Sequence, residues 1–416
     1  MNYTKAPGIE DIFPDRIELW NHIIDTARNV FKEYNIKEII LPIMEFTEIF
    51  ARGIGDETDI VSKEMFTFED RGGRNLTLRP EGTASLVRAY CENGDYNRLA
   101  SSKFFYCGPM FRAEKPQKGR LRQFNQFGVE FFGEDSAYND FEIIAVMDTI
   151  TKRLGINDYT LLINSIGNEN ERNIFVNELK KYYSDKIEKL CDNCKRRLDK
   201  NALRILDCKE PGCNVLKKDA PLINNFLDDE SLKHHNELKR LLDNAGIKYI
   251  EDPLLVRGLD YYCKTTFEFV TDSLGGQNTF AAGGRYNKLV EMFSGKPKPA
   301  VGFAAGIERL FLMLESSFEP ETSLDIYIIH TGDNARPKAS LTAYELRNAG
   351  ISVDFDPVGG SFKSQMKKLN RENCRFVVII SDEELEGNYA TVRDAQTRKE
   401  VKIGFDTLIA NIKDML

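Results

Sequence analysis

The chain has 416 residues, 42% apolar and 29% charged, with a formal net charge of −8 and a pI near 5.4. That length predicts about two to four domains, and the acidic balance excludes a general polyanion binder while leaving room for local basic patches. No apolar run reaches the ~18 residues of a membrane helix, and the opening MNYTKAPGIEDIFPDR lacks an apolar signal-peptide core, so a cytoplasmic protein with no membrane partner is expected. Its eight cysteines are then thiols or metal ligands rather than disulfides.

Residues 15–35 set Leu19, Ile23, Ala27, Val30 and Phe31 at helical spacing. KEIILPI (37–43) reads as a short buried strand ending near Pro42. LTLRPEGTASLVRAY (76–90) predicts a strand, a turn at Pro80 to Gly82, then a helix. Glu81 and Thr83 stand at the head of that helix, where capping is the ordinary use of such side chains.

FFYCGPMFRAEKPQKGRLRQFNQFGVEFF (104–132) predicts two strands joined by a charged hairpin loop. A period of two puts Arg122, Phe124, Gln126, Gly128 and Glu130 on one face, with Gly108, Met110 and Arg112 sharing a face of the partner strand. A core face does not alternate Arg, Gln and Glu, because unpaired buried charge is costly. This face therefore lines a site. Arg112 can fork onto a phosphate, Phe124 offers a ring to a base, Glu130 can hold an ammonium, and Gly128 leaves room between them.

A helix follows over 138–155. Residues 171–250 are rich in Lys, Asn, Asp and Leu, mostly helical, and read as an inserted module. Within it Cys191-x2-Cys194-x13-Cys208-x4-Cys213 has spacing for a tetrahedral zinc site, the alternative being four free thiols. Cys91, Cys107, Cys263 and Cys374 read as isolated buried thiols. His22, His234, His235 and His330 form no catalytic or metal constellation, and His234 and His235 read as solvent-facing on a helix. LLVRGLDYYCKTTFEFV (254–270) predicts strand, with Thr265, Phe267 and Phe269 alternating against Thr266, Glu268 and Val270. Arg257 there is a fixed positive charge suited to developing phosphate charge. The paired glycines of AAGGRYN (281–287) allow close backbone approach to a ligand. VGFAAGIERL (301–310) reads as a small-residue strand turning into a helix, with Arg309 near the positive helix end. Residues 322–416 alternate strand and helix and predict a separate α/β domain, bounded by the polar stretch 316–323.

The RAEKPQKGRLRQFNQFGVE stretch resembles motif 2 of class II aminoacyl-tRNA synthetases in its histidyl-tRNA synthetase form. RGLDYY (257–262) and AAGGRYN resemble the family's two histidine-specific blocks, VGFAAGIERL resembles motif 3, and the first helix with 37–43 resembles motif 1. The resemblance covers nearly the whole chain. It departs at Asn287 and Lys288, where family members often carry an acidic residue and then Gly.

The resemblance implies an α+β catalytic domain built on an antiparallel sheet (1–170 and 251–318), a helical insertion domain (171–250), and a C-terminal α/β anticodon-binding domain (322–416). It implies a homodimeric histidine–tRNA ligase, with motif 1 in the interface. L-histidine and ATP, with Mg²⁺, would give histidyl-adenylate and pyrophosphate, and histidine would pass to the terminal ribose of histidine tRNA. Arg112 and Arg257 would be catalytic, flanking the α-phosphate. Histidine would be held by Glu81, Gly82, Thr83, Arg112, Gln126, Glu130, Arg257, Tyr261, Tyr262 and Tyr286, with Tyr262 and Tyr286 at the imidazole. ATP would be held by Arg112, Glu114, Arg120, Phe124 and Arg309, with adenine between Phe124 and Arg309. The loop 115–119 would meet the tRNA acceptor end. In the tail, Lys363, Lys367, Lys368, Arg371 and Arg375 either meet tRNA phosphates or form a solvated helix face. The alternative reading is a catalytically inactive, synthetase-like regulatory subunit that binds histidine.

Overall fold

The computed structural model describes residues 3–54, 58, 60–117, 119–257, 261–275, 278–319, 324–369 and 374–416. They form two compact units, 1–318 and 319–416. The expected start of the tail domain, residue 322, lies outside the described residues, as do Arg371 and the Gly258–Asp260 part of RGLDYY.

The first unit is built on an eight-stranded sheet. Its strands run, in spatial order, Lys37–Glu38, Ser102–Phe111, Gln123–Phe132, Ala300–Gly306, Thr279–Arg285, Cys263–Val270, Thr160–Ser165 and Ile250–Glu251. The six inner strands pair antiparallel; only the two-residue edge strands pair parallel. This is the expected antiparallel catalytic sheet. A sheet with helices on one face needs apolar residues at every second position of that face. Phe127, Val129 and Phe131 supply them on one strand and Phe267 and Phe269 on another, packing with the helices Pro14–Glu33, Ala137–Arg153, Asp229–Ala245 and Ile307–Leu314. The opposite face carries a second core around Leu86, Val87, Tyr90, Met110 and Phe132.

Two strands are shorter than expected. In place of 37–43 the strand is Lys37–Glu38, and Ile40 is 92% exposed. Pro42 has no N–H to extend the ladder. In place of 254–270 the strand is Cys263–Val270, so Arg257 sits on an approach loop rather than in the sheet. Of a three-stranded sheet of Met44–Phe46, Asn75–Leu78 and Phe66–Glu69, only the strand Asn75–Leu78 was legible in the chain.

The helical stretch after residue 168 serves two cores. Leu238 and Leu242 of Asp229–Ala245 join the core of the main sheet, whereas Phe175, Leu179, Leu198 and Ile205 gather with Cys194, Cys208 and Cys213 in a core of their own. The two histidines expected to face solvent do not. The His234 Nε2 lies 2.7 Å from Asp140, and the His235 Nε2 lies 3.1 Å from Glu251, because their helix packs that side against the helix Ala137–Arg153 and the strand Ile250–Glu251. Cys374 is buried, but Cys91, Cys107 and Cys263 are only half-buried.

The second unit has a five-stranded sheet, in order Val353–Phe355, Leu324–Thr331, Cys374–Ser381, Tyr389–Asp394 and Glu400–Gly404. The first three run parallel and the last two antiparallel. The strand–helix alternation of the tail is as expected, apart from the short helix Asp382–Glu386 and the last strand. Among the described residues no helix is long and apolar enough to cross a membrane.

Candidate active site

The even-numbered positions of Gln123–Phe132 face away from the helix-covered core. Phe124, Gln126 and Glu130 open onto a cavity of about 600 Å³ in the first unit, shared with residues from both neighbouring strands and from the helical stretch. Asn125, on the other face, donates from its backbone to the Glu308 carboxylate at 2.8 Å, which fastens the strand to the helix behind it. Thirteen of the fourteen residues expected to bind histidine or ATP line this cavity: Glu81, Thr83, Arg112, Glu114, Arg120, Phe124, Gln126, Glu130, Arg257, Tyr261, Tyr262, Tyr286 and Arg309.

Gly82 is the exception. It is the N-cap position of the helix Thr83–Glu92, and a Cβ there would fall into the ring of Tyr106. Gly128 is glycine for the same reason. The room expected between ligand-holding groups is thus filled by Tyr106, which the sequence reading passed over. Its position opposite Gly128 in the strand pair was the available signal. Met110 and Arg122 also differ from expectation. Met110 is buried in the second core, and the Arg122 guanidinium donates to the Glu114 carbonyl at 3.2 Å.

At one end of the cavity sits a cage of buried acids and phenols. Glu130 is 0% exposed. The Thr83 hydroxyl donates to one of its oxygens at 2.7 Å, and the Tyr286 hydroxyl donates to the other. Gly302 must lack a side chain, since a Cβ would overlap that second oxygen. Burial pushes the Glu130 carboxyl up to about 8, against the pull of those two donors. The Glu81 carboxylate accepts from the backbone of Thr83 at 2.6 Å and Ala84 at 2.8 Å. It therefore caps the helix as capping preferences suggest, and lines the cavity as well. Burial raises its pKa too, with those backbone donors opposing. The ring centroids of Tyr261 and Tyr262 lie 4.6 Å apart, and those of Tyr261 and Tyr286 5.5 Å apart. Tyr286, expected at an imidazole, has Glu130 as its partner here.

At the other end three guanidinium groups converge. Arg120 pairs with Glu114 at 2.8 Å. Arg112 donates to the Pro80 carbonyl at 3.0 Å and lies 5.3 Å from the Phe124 ring centre. Arg309 donates to the carbonyls of Gly119 and Thr279. Burial, with Arg120 and Arg112 nearby, pushes Arg309 down to about 10. An arginine whose charge is disfavoured by its neighbours is a ready receptor for an anion.

Arg257 lies over the Tyr262 ring at 5.8 Å and pairs with Glu268. Burial works most strongly against its charge, but Glu268, Tyr262, Asp207 and Tyr261 together outweigh burial and hold its pKa above the usual arginine value. Glu268 also accepts from the Thr279 hydroxyl at 2.8 Å. Its place between two core phenylalanines marks it by the same logic that marked Glu130, yet the sequence reading gave it no role. Glu64 and, from the helical stretch, Arg197, Arg204, Asp207 and Lys209 line the same cavity. No local pattern flags these four, because they reach the site only through tertiary folding. Among the described residues, the buried polar atoms of the lining without a hydrogen-bond partner include the Tyr106 hydroxyl, Gln126 Oε1 and Arg257 Nε. Buried polar groups are normally satisfied, so an atom such as Gln126 Oε1 or Arg257 Nε at the cavity wall is available to a polar ligand.

Residues 8–310 match the family described as Histidyl-tRNA synthetase. The chain belongs to the histidyl-tRNA synthetase family. Residues 325–415 match an anticodon binding domain. Similar proteins include the histidine–tRNA ligase of Halothermothrix orenii, 47% identical over 99% of this chain and all of that one. The histidine–tRNA ligase of Thermosipho melanesiensis is 44% identical over 100% of this chain and 99% of that one. Among solved structures, the apo histidyl-tRNA synthetase of S. aureus superposes with a TM-score of 0.83 at 37% identity, covering 99% of this chain and 100% of that chain. The family match spans every element that contributes to the cavity, including the helical stretch.

In the tail, Lys363 and Lys367 are exposed. Lys368 pairs with Asp356, and Arg375 donates to the Leu416 carbonyl at 2.6 Å.

Proposed function

We propose that the chain is a histidine–tRNA ligase that activates L-histidine with ATP and transfers it to histidine tRNA. The observation that carries this is one cavity with two chemically opposite ends. Buried carboxyl groups among phenols suit an amino acid's ammonium and side chain. Three converging guanidinium groups beside an aromatic ring suit a nucleotide's phosphates and base. A binder of histidine alone has no use for the second end, which favours the enzyme over the regulatory alternative.

The substrate carboxylate is already ionised and nucleophilic, so its attack on the α-phosphate needs no general base. The chain's task is positioning and charge neutralisation. Arg112 and Arg257 flank the α-phosphate, Arg120 and Arg309 hold the outer phosphates, and Phe124 with Arg309 holds adenine. Glu81, Thr83, Gln126 and Glu130 hold the amino-acid end, with Tyr261, Tyr262 and Tyr286 around the imidazole. Carboxylates of the lining would supply the hard oxygen donors that Mg²⁺ takes when it accompanies ATP. The tail unit reads the anticodon, and the protein works in the cytoplasm. The deciding experiment is ATP–pyrophosphate exchange with each of the twenty amino acids. Exchange with histidine alone is expected; histidine binding without exchange would favour the regulatory reading.

Glu130 gives this reading a pH signature. A carboxyl raised to about 8 is mostly protonated at pH 7. An arriving ammonium favours the ionised form, so histidine binding releases close to one proton. Without ligand the sign for stability follows: between the ordinary carboxyl value and about 8 the folded state binds more protons than the unfolded one, so stability falls as pH rises through that window. Calorimetry of histidine binding at pH 7 in phosphate and in Tris should show a buffer-dependent heat that disappears in Glu130→Gln. Identical heats in both buffers for the parent would remove the ammonium contact.

A homodimer forms through the segment 40–46 and the three-stranded sheet. Phe46 and Phe68 both stand opposite Leu76 in register, and Ile40, Ile43, Met44, Phe46 and Phe68 are all exposed. A contiguous apolar face of this kind marks an interface, and two-fold pairing is the commonest closed assembly. The first helix contributes less than the family resemblance implies, since Leu19, Ile23, Ala27, Val30 and Phe31 are buried in the chain's own core. Light scattering should give the mass of two 47.6 kDa chains; a single-chain mass at micromolar concentration would refute the interface.

A further inference from the structure

Cys191, Cys194, Cys208 and Cys213 come together far from any other cysteine in the sequence. Their four sulfurs all lie within 4.8 Å of one another. The Cys191 and Cys208 sulfurs are 3.8 Å apart. Four thiolates around one zinc at ~2.3 Å place their sulfurs ~3.8 Å apart along each edge of the tetrahedron, whereas a disulfide needs ~2.0 Å. Cys191 is the N-cap of the helix Asp192–Lys200 and Cys194 lies in its first turn, so one turn of backbone presents two sulfurs to the same point. The Cys191 backbone N–H donates to the Cys213 sulfur at 3.4 Å, the kind of outer contact that orients a metal ligand. Cys194, Cys208 and Cys213 are buried within an apolar shell that includes Tyr183, Leu190, Leu198 and Ile205, which keeps water from the position between the sulfurs.

The location gives the cluster a task. The stretch from Cys191 to Cys213 consists of short helical turns, too little regular structure to hold itself firmly without a staple. This same stretch carries Arg197, Arg204, Asp207 and Lys209 to the wall of the active-site cavity. Asp207 directly precedes Cys208 and is within electrostatic reach of Arg257 and Glu268.

We propose that Cys191, Cys194, Cys208 and Cys213 bind one structural zinc ion, which fixes the segment 191–213 so that Arg197, Arg204, Asp207 and Lys209 form a wall of the active-site cavity. The site is closed, with four protein ligands and no open position, so the zinc takes no part in the reaction. Its presence does not depend on the proposed activity; its effect on the cavity does rest on that reading.

The test uses the full chain, purified without chelator or immobilised metal. Elemental analysis should give one zinc per chain, and none in Cys191→Ser/Cys208→Ser. Cys91→Ser/Cys374→Ser should keep its zinc. Cobalt substituted for zinc should show intense thiolate charge-transfer absorption together with the visible bands of tetrahedral cobalt, absent in the first double variant. Limited proteolysis should cut within 191–213 only after the metal is removed. In the exchange assay, metal removal should raise the KM for ATP several-fold more than it lowers kcat. A metal-free parent whose four cysteines all react with a thiol reagent, iron in place of zinc, or disulfides among these cysteines would overturn the site. Zinc present with proteolysis and the KM for ATP both unchanged by its removal would overturn its role in holding the wall.

Discussion

Arg257→Ala is expected to lower the turnover of histidine-dependent ATP–pyrophosphate exchange by roughly 30- to 900-fold. That range corresponds to ~2–4 kcal/mol, the size of losing one preorganised charge-stabilising group in a transition state. The guanidinium is already held in place by Glu268 and the Tyr262 ring, and its Nε has no partner among the described residues. A fixed charge with an unused donor at a cavity wall is prepared for charge that develops during reaction. Histidine binding should weaken far less, because Glu81, Glu130 and Thr83 remain. Arg257→Lys should recover part of the turnover, since a point charge cannot reproduce a planar fork. Removing Arg257 also strands Glu268, so a structural effect must be separated from a chemical one. Glu268→Gln breaks the same ion pair and keeps the guanidinium. Exchange kinetics, histidine calorimetry and thermal unfolding on all three variants make the separation. Should Glu268→Gln match Arg257→Ala in lost turnover and lost stability alike, the pair is a structural strut and Arg257 leaves the reaction.

Arg285→Met is expected to destabilise the first unit by ~3–5 kcal/mol, the usual result of removing one partner from a buried ion pair. Arg285 is fully buried and donates to Asp140 through Nε at 2.9 Å, with further bonds to the Ser136 carbonyl at 2.9 Å and the Asn287 side chain at 3.2 Å. Asp140 is also bonded by Thr265 and His234. The network therefore ties the helix Ala137–Arg153, the helix Asp229–Ala245 and two sheet strands to one carboxylate. Burial by itself would raise the Asp140 pKa; Arg285 and His234 outweigh it and hold it at about 2. A depressed carboxyl adds stability that is fully present above its unfolded value of ~3.9 and is lost as pH falls toward 2. Thermal unfolding from pH 7 to pH 2 should show that acid loss in the parent and a shallower one in Asp140→Asn. An Arg285→Met protein as stable as the parent would show that the network is not what holds these elements.

These two arginines show how far side-chain chemistry was legible before the fold. Both belong to blocks that the sequence singles out, and both are charges among apolar neighbours. One lines the cavity and the other lies beneath it, clamping a helix. Nothing in RGLDYY or AAGGRYN separates the two outcomes, since each depends on which distant segment packs alongside. The glycines teach a similar lesson. Gly128 was expected to leave room between ligand-holding groups, and Tyr106 occupies that room.

Legible without the fold were the antiparallel hairpin at the centre of the first unit, the first helix, most of the strand–helix alternation of the tail, and the names of thirteen residues that line the cavity. The elements follow from periodicity, and Phe124, Gln126 and Glu130 from which side chains of one strand share a face; residues such as Glu114, Arg120, Tyr261, Tyr262 and Tyr286 were named by the resemblance to the family's motifs. The partners of these side chains follow from long-range packing. Tyr286 meets Glu130 across 156 positions and Arg285 meets Asp140 across 145. Arg197, Arg204, Asp207 and Lys209 arrive from a separate helical stretch to close the cavity. The outcome at each of these sites rests on which low-dielectric surroundings a charge enters and which opposite charge is already there. That is a property of packed segments and is absent from any local run of residues.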